Sequence, residues 1–278
     1  KDEVVCSLAY NEKKSLVVAS KGTHCVVIHL ESSGKLNVIT EFRTDFASGM
    51  DVGQYAADID PAGGLIATGG EDSSLRLWKF DGKEVTQFKE LKRHSSEING
   101  LSFHPSGELI ASSSKDKSCR LWDAKTGNCV KQLTFAADAK SGNMVFKGCI
   151  FSPCGNFLYT AQTPMRGDSF LTKWEAGGEF TALKTTKLYN KPVCKIVMDQ
   201  GGNYIGAGFV DGSTGVYEAS SLGSRNRTLI HDMPVTGMSF VGQSHLLSTA
   251  ADYSYFFSST KSSESLLAKL TKLWFLGL

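Results

Sequence analysis

The sequence predicts an all-β fold of the β-propeller type. Three observations predict it: a repeat with a period of about forty residues, an aspartate at a fixed distance from an aromatic inside each copy, and short apolar runs separated by Gly/Pro turns. Two segments align without gaps. Ile59-Asp60-Pro61 leads through Leu65-Ile66-Ala67 to Asp72 and ends at Leu75-Arg76-Leu77-Trp78. Phe103-His104-Pro105 leads through Leu109-Ile110-Ala111 to Asp116 and ends at Cys119-Arg120-Leu121-Trp122.

In both segments the aspartate stands six residues before the tryptophan. Asp168 with Trp174 and Asp211 with Tyr217 repeat that spacing, and Asp252 marks a further copy with Ser258 in the aromatic place. Aspartates 72, 116, 168, 211 and 252 lie 44, 52, 43 and 41 residues apart, the long interval carrying an insertion around Thr163–Gly167. A degenerate first copy runs from Val4 to about Phe42, with Val26-Val27-Ile28 as its third strand, which makes six copies.

Each copy reads as a four-stranded antiparallel blade. The first strand is short and apolar, as in Gly100-Leu101-Ser102-Phe103 and Gly237-Met238-Ser239-Phe240. A Pro/Gly turn follows (Pro105-Ser106-Gly107, Pro153-Cys154-Gly155), then a second strand, an Asp-centred turn, and a third strand ending in an aromatic. Paired glycines 63/64, 69/70, 177/178 and 201/202 serve tight turns or close blade packing. The fold class is thus a WD-repeat β-propeller with six recognisable repeats of a seven-bladed ring. The propeller occupies residues 1–260, and 261–278 form a linker and the start of a truncated anchor.

His94 lies nine residues before Phe103 and His231 nine before Phe240, with Tyr189 at the equivalent place before Met198. In WD-repeat blades this His, a Ser/Thr of strand two, the turn Asp and the strand-three Trp bond one another. An unsatisfied polar group there costs about 1–3 kcal/mol. His94, Ser112 or Ser114, Asp116 and Trp122 are therefore expected to brace the blade instead of forming a Ser–His–Asp nucleophile. Gly206-x-Gly208-x-x-x-Gly212 has the wrong spacing for a dinucleotide fingerprint and lies on a hairpin. Gly100-Leu101-Ser102 and Gly237-Met238-Ser239 lack the second glycine of a nucleophile elbow, and no P-loop is present. No catalytic, cofactor-binding or metal-ligating residue is assigned, and the protein is expected not to be an enzyme with covalent chemistry.

Composition narrows the partners. A net charge of +2 and a densest basic run of Lys89, Lys92 and Arg93 argue against nucleic acid as a partner. Seven cysteines (6, 25, 119, 129, 149, 154 and 194) contain no C-x-x-C pair, and Cys149 and Cys154 have no His near them, so zinc is not expected. Reduced, mostly buried thiols fit a cytosolic setting, in which Asn226-Arg227-Thr228 would be a silent glycosylation match. Exposed loop residues such as Arg166, Asp168 and Arg225 are candidate partner contacts.

The two ends depart from the repeat. The chain begins at Lys1 with no signal peptide and reads as cut there. After Lys261-Ser262-Ser263-Glu264-Ser265 comes Leu266-Leu267-Ala268-Lys269-Leu270-Thr271-Lys272, then Leu273-Trp274-Phe275-Leu276-Gly277-Leu278. Lysines followed by an aromatic apolar run look like the cytosolic border of a membrane span. The bland alternative is an amphipathic tail on the propeller.

A narrower likeness rests on Thr44-Asp45-Phe46, Leu65-Ile66-Ala67-Thr68-Gly69-Gly70-Glu71-Asp72, Leu171-Thr172-Lys173-Trp174, Tyr204-Ile205-Gly206-Ala207-Gly208 with Gly212-Ser213, and the hydrophobic tail. Together these resemble the endoplasmic-reticulum exchange factors of the Sar-type small GTPase, the prolactin regulatory element-binding protein family. The resemblance implies a seven-bladed propeller facing the cytosol, held in the endoplasmic reticulum membrane by one C-terminal helix. It implies exchange of GDP for GTP on the Sar-type GTPase, which starts COPII coat assembly and ER-to-Golgi transport. The family exchanges nucleotide with a glycine-rich, potassium-binding loop in its first blade. No Gly-Gly-Gly-Gly stretch occurs here, and the six copies match the second blade onward, so that element is expected outside this chain. The chain alone is then expected to be unstable or self-associating, because an open ring leaves strand edges unpaired. The other readings are a soluble WD-repeat scaffold of another complex and a nuclear DNA-binding regulator, which the net charge disfavours.

Overall fold

A computed structural model describes residues 5–44, 53–135, 143–164, 167–242, 245–252 and 254–259. The chain divides into two compact units, one up to Phe151 and one from Ser152. The first holds three complete four-stranded antiparallel sheets: β1 (Val5–Asn11) to β4 (Leu36–Arg43), β5 (Gln54–Ile59) to β8 (Val85–Lys92), and β9 (Ile98–Phe103) to β12 (Cys129–Thr134). It ends with β13 (Val145–Phe151), the first strand of the fourth copy. The second unit continues with β14 (Phe157–Thr163), β15 (Phe170–Glu175) and β16 (Ala182–Lys187). The fifth sheet follows, β17 (Val193–Met198) to β20 (Ser224–Leu229), then a sixth that among the described residues has three strands, β21 (Val235–Val241), β22 (His245–Ala250) and β23 (Tyr255–Ser259). These are six blades of the WD-repeat propeller class. The degenerate first copy folds as expected, with Val26–Ile28 inside β3 (His24–Leu30).

The Asp-centred turns explain why each second strand reverses into the third. Asp72, Asp116, Asp211 and Asp252 each accept the backbone N–H of the serine two residues on, at 3.2, 3.0, 3.1 and 2.9 Å. The residue between is left-handed where it is described (Ser73 φ 60°, Lys117 φ 70°, Gly212 φ 82°). Glycine is obligatory at 212, since a Cβ there would stand 2.0 Å from the His231 carbonyl oxygen. The first turns of the second, fourth and fifth blades have their own brace. Asp60 Oδ1 accepts Leu65 N–H at 2.7 Å, Ser152 Oγ accepts Phe157 N–H at 3.0 Å, and Asp199 Oδ1 accepts Tyr204 N–H at 2.6 Å.

Neighbouring blades pack through small residues of the second strand. A Cβ on Gly69 would lie 2.8 Å from Ile98 of the next blade, and one on Gly208 would lie 2.5 Å from Val235 of the next. The Gly206-x-Gly208 pattern is therefore a packing device on the hairpin of β18 (Tyr204–Phe209) and β19 (Ser213–Glu218). Hydrogen bonds also cross between blades, from Phe103 N–H to Asp58 Oδ2 (2.6 Å) and from Phe151 N–H to Ser102 Oγ (3.1 Å). The core beneath holds Ile66, Trp78 and Phe42 between the first and second blades, and Leu77, Ile98, Ile110 and Trp122 between the second and third.

Two innermost strands stand apart. Along β1, Ser7, Ala9 and Asn11 are buried, while Leu8 is 65% and Tyr10 53% exposed. Along β21, Thr236, Ser239 and Val241 are exposed. No residue of β5, β9, β13 or β17 (Val193–Met198) is exposed. Residues 261–278, where the sequence suggests an anchor, lie outside the described residues. Among those described, no helix is long and apolar enough to cross a membrane.

Candidate functional site

Among the described residues, a constellation with the geometry of a nucleophile lies in the third blade. His94 Nδ1–H donates to Asp116 Oδ2 at 2.6 Å, its Nε2 faces Ser112 Oγ at 2.7 Å, and Trp122 Nε1–H donates to the same Ser112 oxygen at 2.8 Å. Ser112 is the strand-two hydroxyl of the set. Ser114 instead donates to the Ser96 carbonyl at 2.9 Å. Burial raises the Asp116 carboxyl. The bonds from His94 and Ser118, the His94 ring and the Ser95 N–H outweigh that and hold it well below the usual carboxylate range.

Distances alone would suit general-base activation of a serine. Accessibility rules the other way: Ser112 is fully buried, His94 is 6% exposed, and the serine oxygen is already capped by an indole N–H. No reacting atom can reach Ser112 without opening the blade, so the arrangement satisfies buried polar groups.

The second, fourth and sixth copies build the brace from other parts. In the second, Trp78 Nε1–H donates to Thr68 Oγ1 at 2.9 Å, and Asp72 turns to the buried Arg76, which also meets Glu90 at 2.8 Å. In the fourth, Trp174 Nε1–H donates to Thr160 Oγ1 at 2.7 Å, and the Gln162 carbonyl accepts from that hydroxyl, taking the place of the histidine. In the sixth, His231 bonds Ser248 Oγ at 2.8 Å and Ser254 Oγ at 2.7 Å, while Phe256 packs on the ring at 4.9 Å. Burial lowers the His231 pKa against the raising effect of Asp252.

Tyr189 does not fill the histidine role its position suggests. Strand two of that blade offers Ala207 where others offer a hydroxyl, so the ring has nothing there to bond. It meets Phe209 edge to face at 5.6 Å instead, with the Arg227 guanidinium over its face at 3.0 Å and Asp211 3.8 Å from that arginine.

The candidate contact residues are ordinary surface side chains. Asp168 pairs with Lys187 at 2.7 Å, and Arg225 pairs with Glu218 at 3.4 Å over the Tyr204 ring. Arg166 lies outside the described residues, as do Asp45 and Phe46. None of the seven cysteines is in a disulfide. Only Cys25, Cys119 and Cys149 are buried, fewer than expected, and Cys154 is exposed. Burial pushes the Cys25 thiol up to about 12, with Cys6 adding to it, which keeps it a neutral packing group. Among the described residues no group of three His, Cys, Asp or Glu is placed to hold a metal ion.

Sequence reasoning missed the first-turn caps, the Gln162 substitute and the Asp58 and Ser102 bridges. The bridges carried a signal: both stand one residue before the end of the first strand, at matching repeat positions.

Comparison with known proteins agrees with this architecture. The family described as WD domain, G-beta repeat matches residues 47–79 and 85–123. The rat and mouse proteins named guanine nucleotide-exchange factor SEC12 are each 28% identical over 171 residues, covering 57% of this chain and 40% of the relative. The chain thus spans less than half the length of the curated relatives it matches. Repeat spacing, blade geometry and these likenesses agree: the chain folds as a β-propeller with WD-type repeats at residues 47–79 and 85–123, and it is similar to the SEC12 exchange factors.

Proposed function

We propose that this chain is the platform part of a guanine-nucleotide exchange factor for a Sar-type small GTPase, acting at the endoplasmic reticulum membrane to start COPII assembly and ER-to-Golgi transport. The observation that carries the reading is the likeness to named exchange factors over 57% of the chain. Its role is regulatory. Exchange of this kind weakens nucleotide binding by competing for phosphate and magnesium contacts, and it needs no general acid, base or nucleophile. A buried, capped Ser112 suits such a protein.

The exchange loop itself belongs to a further blade, one that packs against the exposed Leu8 and Tyr10 side of β1. Apolar residues at more than half exposure on an innermost strand support that placement, since the corresponding strands β5 and β9 have none. The tail at 261–278 supplies the membrane attachment, by its lysines followed by Leu273-Trp274-Phe275-Leu276.

The test is release of labelled GDP from purified Sar-type GTPase, with the full-length parent protein and this chain side by side. Acceleration by the parent and none by this chain is the expected result. A folded parent that leaves release unchanged would discard the exchange reading and leave a WD-repeat scaffold of another complex.

A further inference from the structure

The seam between the first and second blades differs from the seams that follow the second and the fifth. Ser20 stands in β2 (Leu16–Lys21) at the repeat position held by Gly69 and Gly208, and Gln54 opens β5 at the position of Ile98 and Val235. The latter seams are apolar: a Cβ added to the glycine would stand 2.8 Å from Ile98 in one and 2.5 Å from Val235 in the other. Here a hydroxyl and a carboxamide replace the glycine and the apolar side chain. Both residues are fully buried, and Ser20 Oγ, Gln54 Nε2 and Gln54 Oε1 have no hydrogen-bond partner. The backbone holds Gln54 in place, since its N–H donates to the Gly22 carbonyl of the first blade at 2.9 Å and β2 packs on β5.

Buried polar atoms left unbonded destabilise a fold, and three stand at this one seam. Buried water makes about three hydrogen bonds and settles where polar groups lack partners. We propose that Ser20 and Gln54 form an internal hydration site, in which water bridges the two blades through the carboxamide and the hydroxyl. A hydroxyl and a carboxamide are neutral donors and acceptors, a set that suits water. The seam is then wet where the Gly69–Ile98 and Gly208–Val235 seams are apolar.

The test is water-detected NMR on the full chain, deuterated except for glutamine side-chain amides, with the Gln54 signal assigned by its loss in Gln54→Ile. A cross peak of long-lived water with the Gln54 amide protons is the expected result. The variant pair Ser20→Gly with Gln54→Ile, which copies Gly69 and Ile98, should lose that peak while the Gly69–Ile98 seam keeps its chemical shifts. A folded protein with no water cross peak at Gln54, its amide bonded directly to Ser20 Oγ, would overturn the proposal.

Discussion

The third and sixth blades place a histidine at the same point of the repeat and bond it differently. In the third, His94 reaches Asp116 directly at 2.6 Å, and Ser118 stands 3.5 Å from the ring while bonding the aspartate. In the sixth, the aspartate Asp252 is 3.7 Å from His231, and Ser254, the counterpart of Ser118, lies between them. The aromatic changes in step. Trp122 gives an N–H to Ser112. Phe256 gives none and covers the His231 face instead, while Ser258, in the tryptophan place, donates to the Leu246 carbonyl. The lesson is that the repeat preserves saturation of the buried hydroxyl and imidazole, not a fixed set of residues.

The largest expected difference comes from deleting the histidines. His94→Ala takes the imidazole from a carboxylate whose side chain is 5% exposed, leaving it the Ser118 hydroxyl and backbone N–H groups, and should lower unfolding free energy by about 3–5 kcal/mol. His231→Ala, whose aspartate is 18% exposed and keeps Ser254, should lose about 1–3 kcal/mol. Urea midpoints of the two variants measure the gap, and equal losses would break the comparison. A smaller contrast is expected at the serines. Ser254→Ala removes the Nδ1 partner of His231 and should cost about 1–2 kcal/mol, while Ser118→Ala leaves the His94–Asp116 bond intact and should cost under about 1 kcal/mol.

Acid sharpens the same contrast. The folded pKa of His231 is lowered, chiefly by burial, so the unfolded chain takes up a proton first. Stability should therefore begin to fall as pH drops below about 6.5. Burial raises the carboxyls of Asp116 and Asp252, but their hydrogen bonds win and both end depressed. Their contribution is present above about pH 4 and is lost as pH falls through the folded values. Urea midpoints of the parent chain and His231→Gln at pH 7 and 5 should converge if His231 carries the first loss. Parallel lines would assign it elsewhere.

Much of this was legible in the sequence. The Asp-to-aromatic spacing fixed the second, third and fourth braces, because a turn of defined length sets which rungs of the hairpin face each other. It also marked Ser112 or Ser114 as the strand-two hydroxyl of the third brace, and the structure selects Ser112. What escaped depended on partners distant in sequence. Tyr189 stood at the histidine place, yet its fate turned on Ala207 lacking a hydroxyl and on Arg227 arriving from the outer strand. Gln162 replaces a histidine from two residues beyond Thr160, a geometry no repeat alignment marks. The exposure of Leu8 and Tyr10 is likewise invisible in an alternating strand, whose two faces read alike until one is left uncovered.

The central claim is that the buried His–Ser–Asp–Trp set braces the blade and performs no chemistry. The most direct test is urea unfolding of Ser112→Ala at pH 7. Removing that hydroxyl orphans both His94 Nε2 and Trp122 Nε1. The account therefore predicts a loss of about 2–4 kcal/mol. Unchanged stability would contradict it and return Ser112 to the candidates for a chemical role.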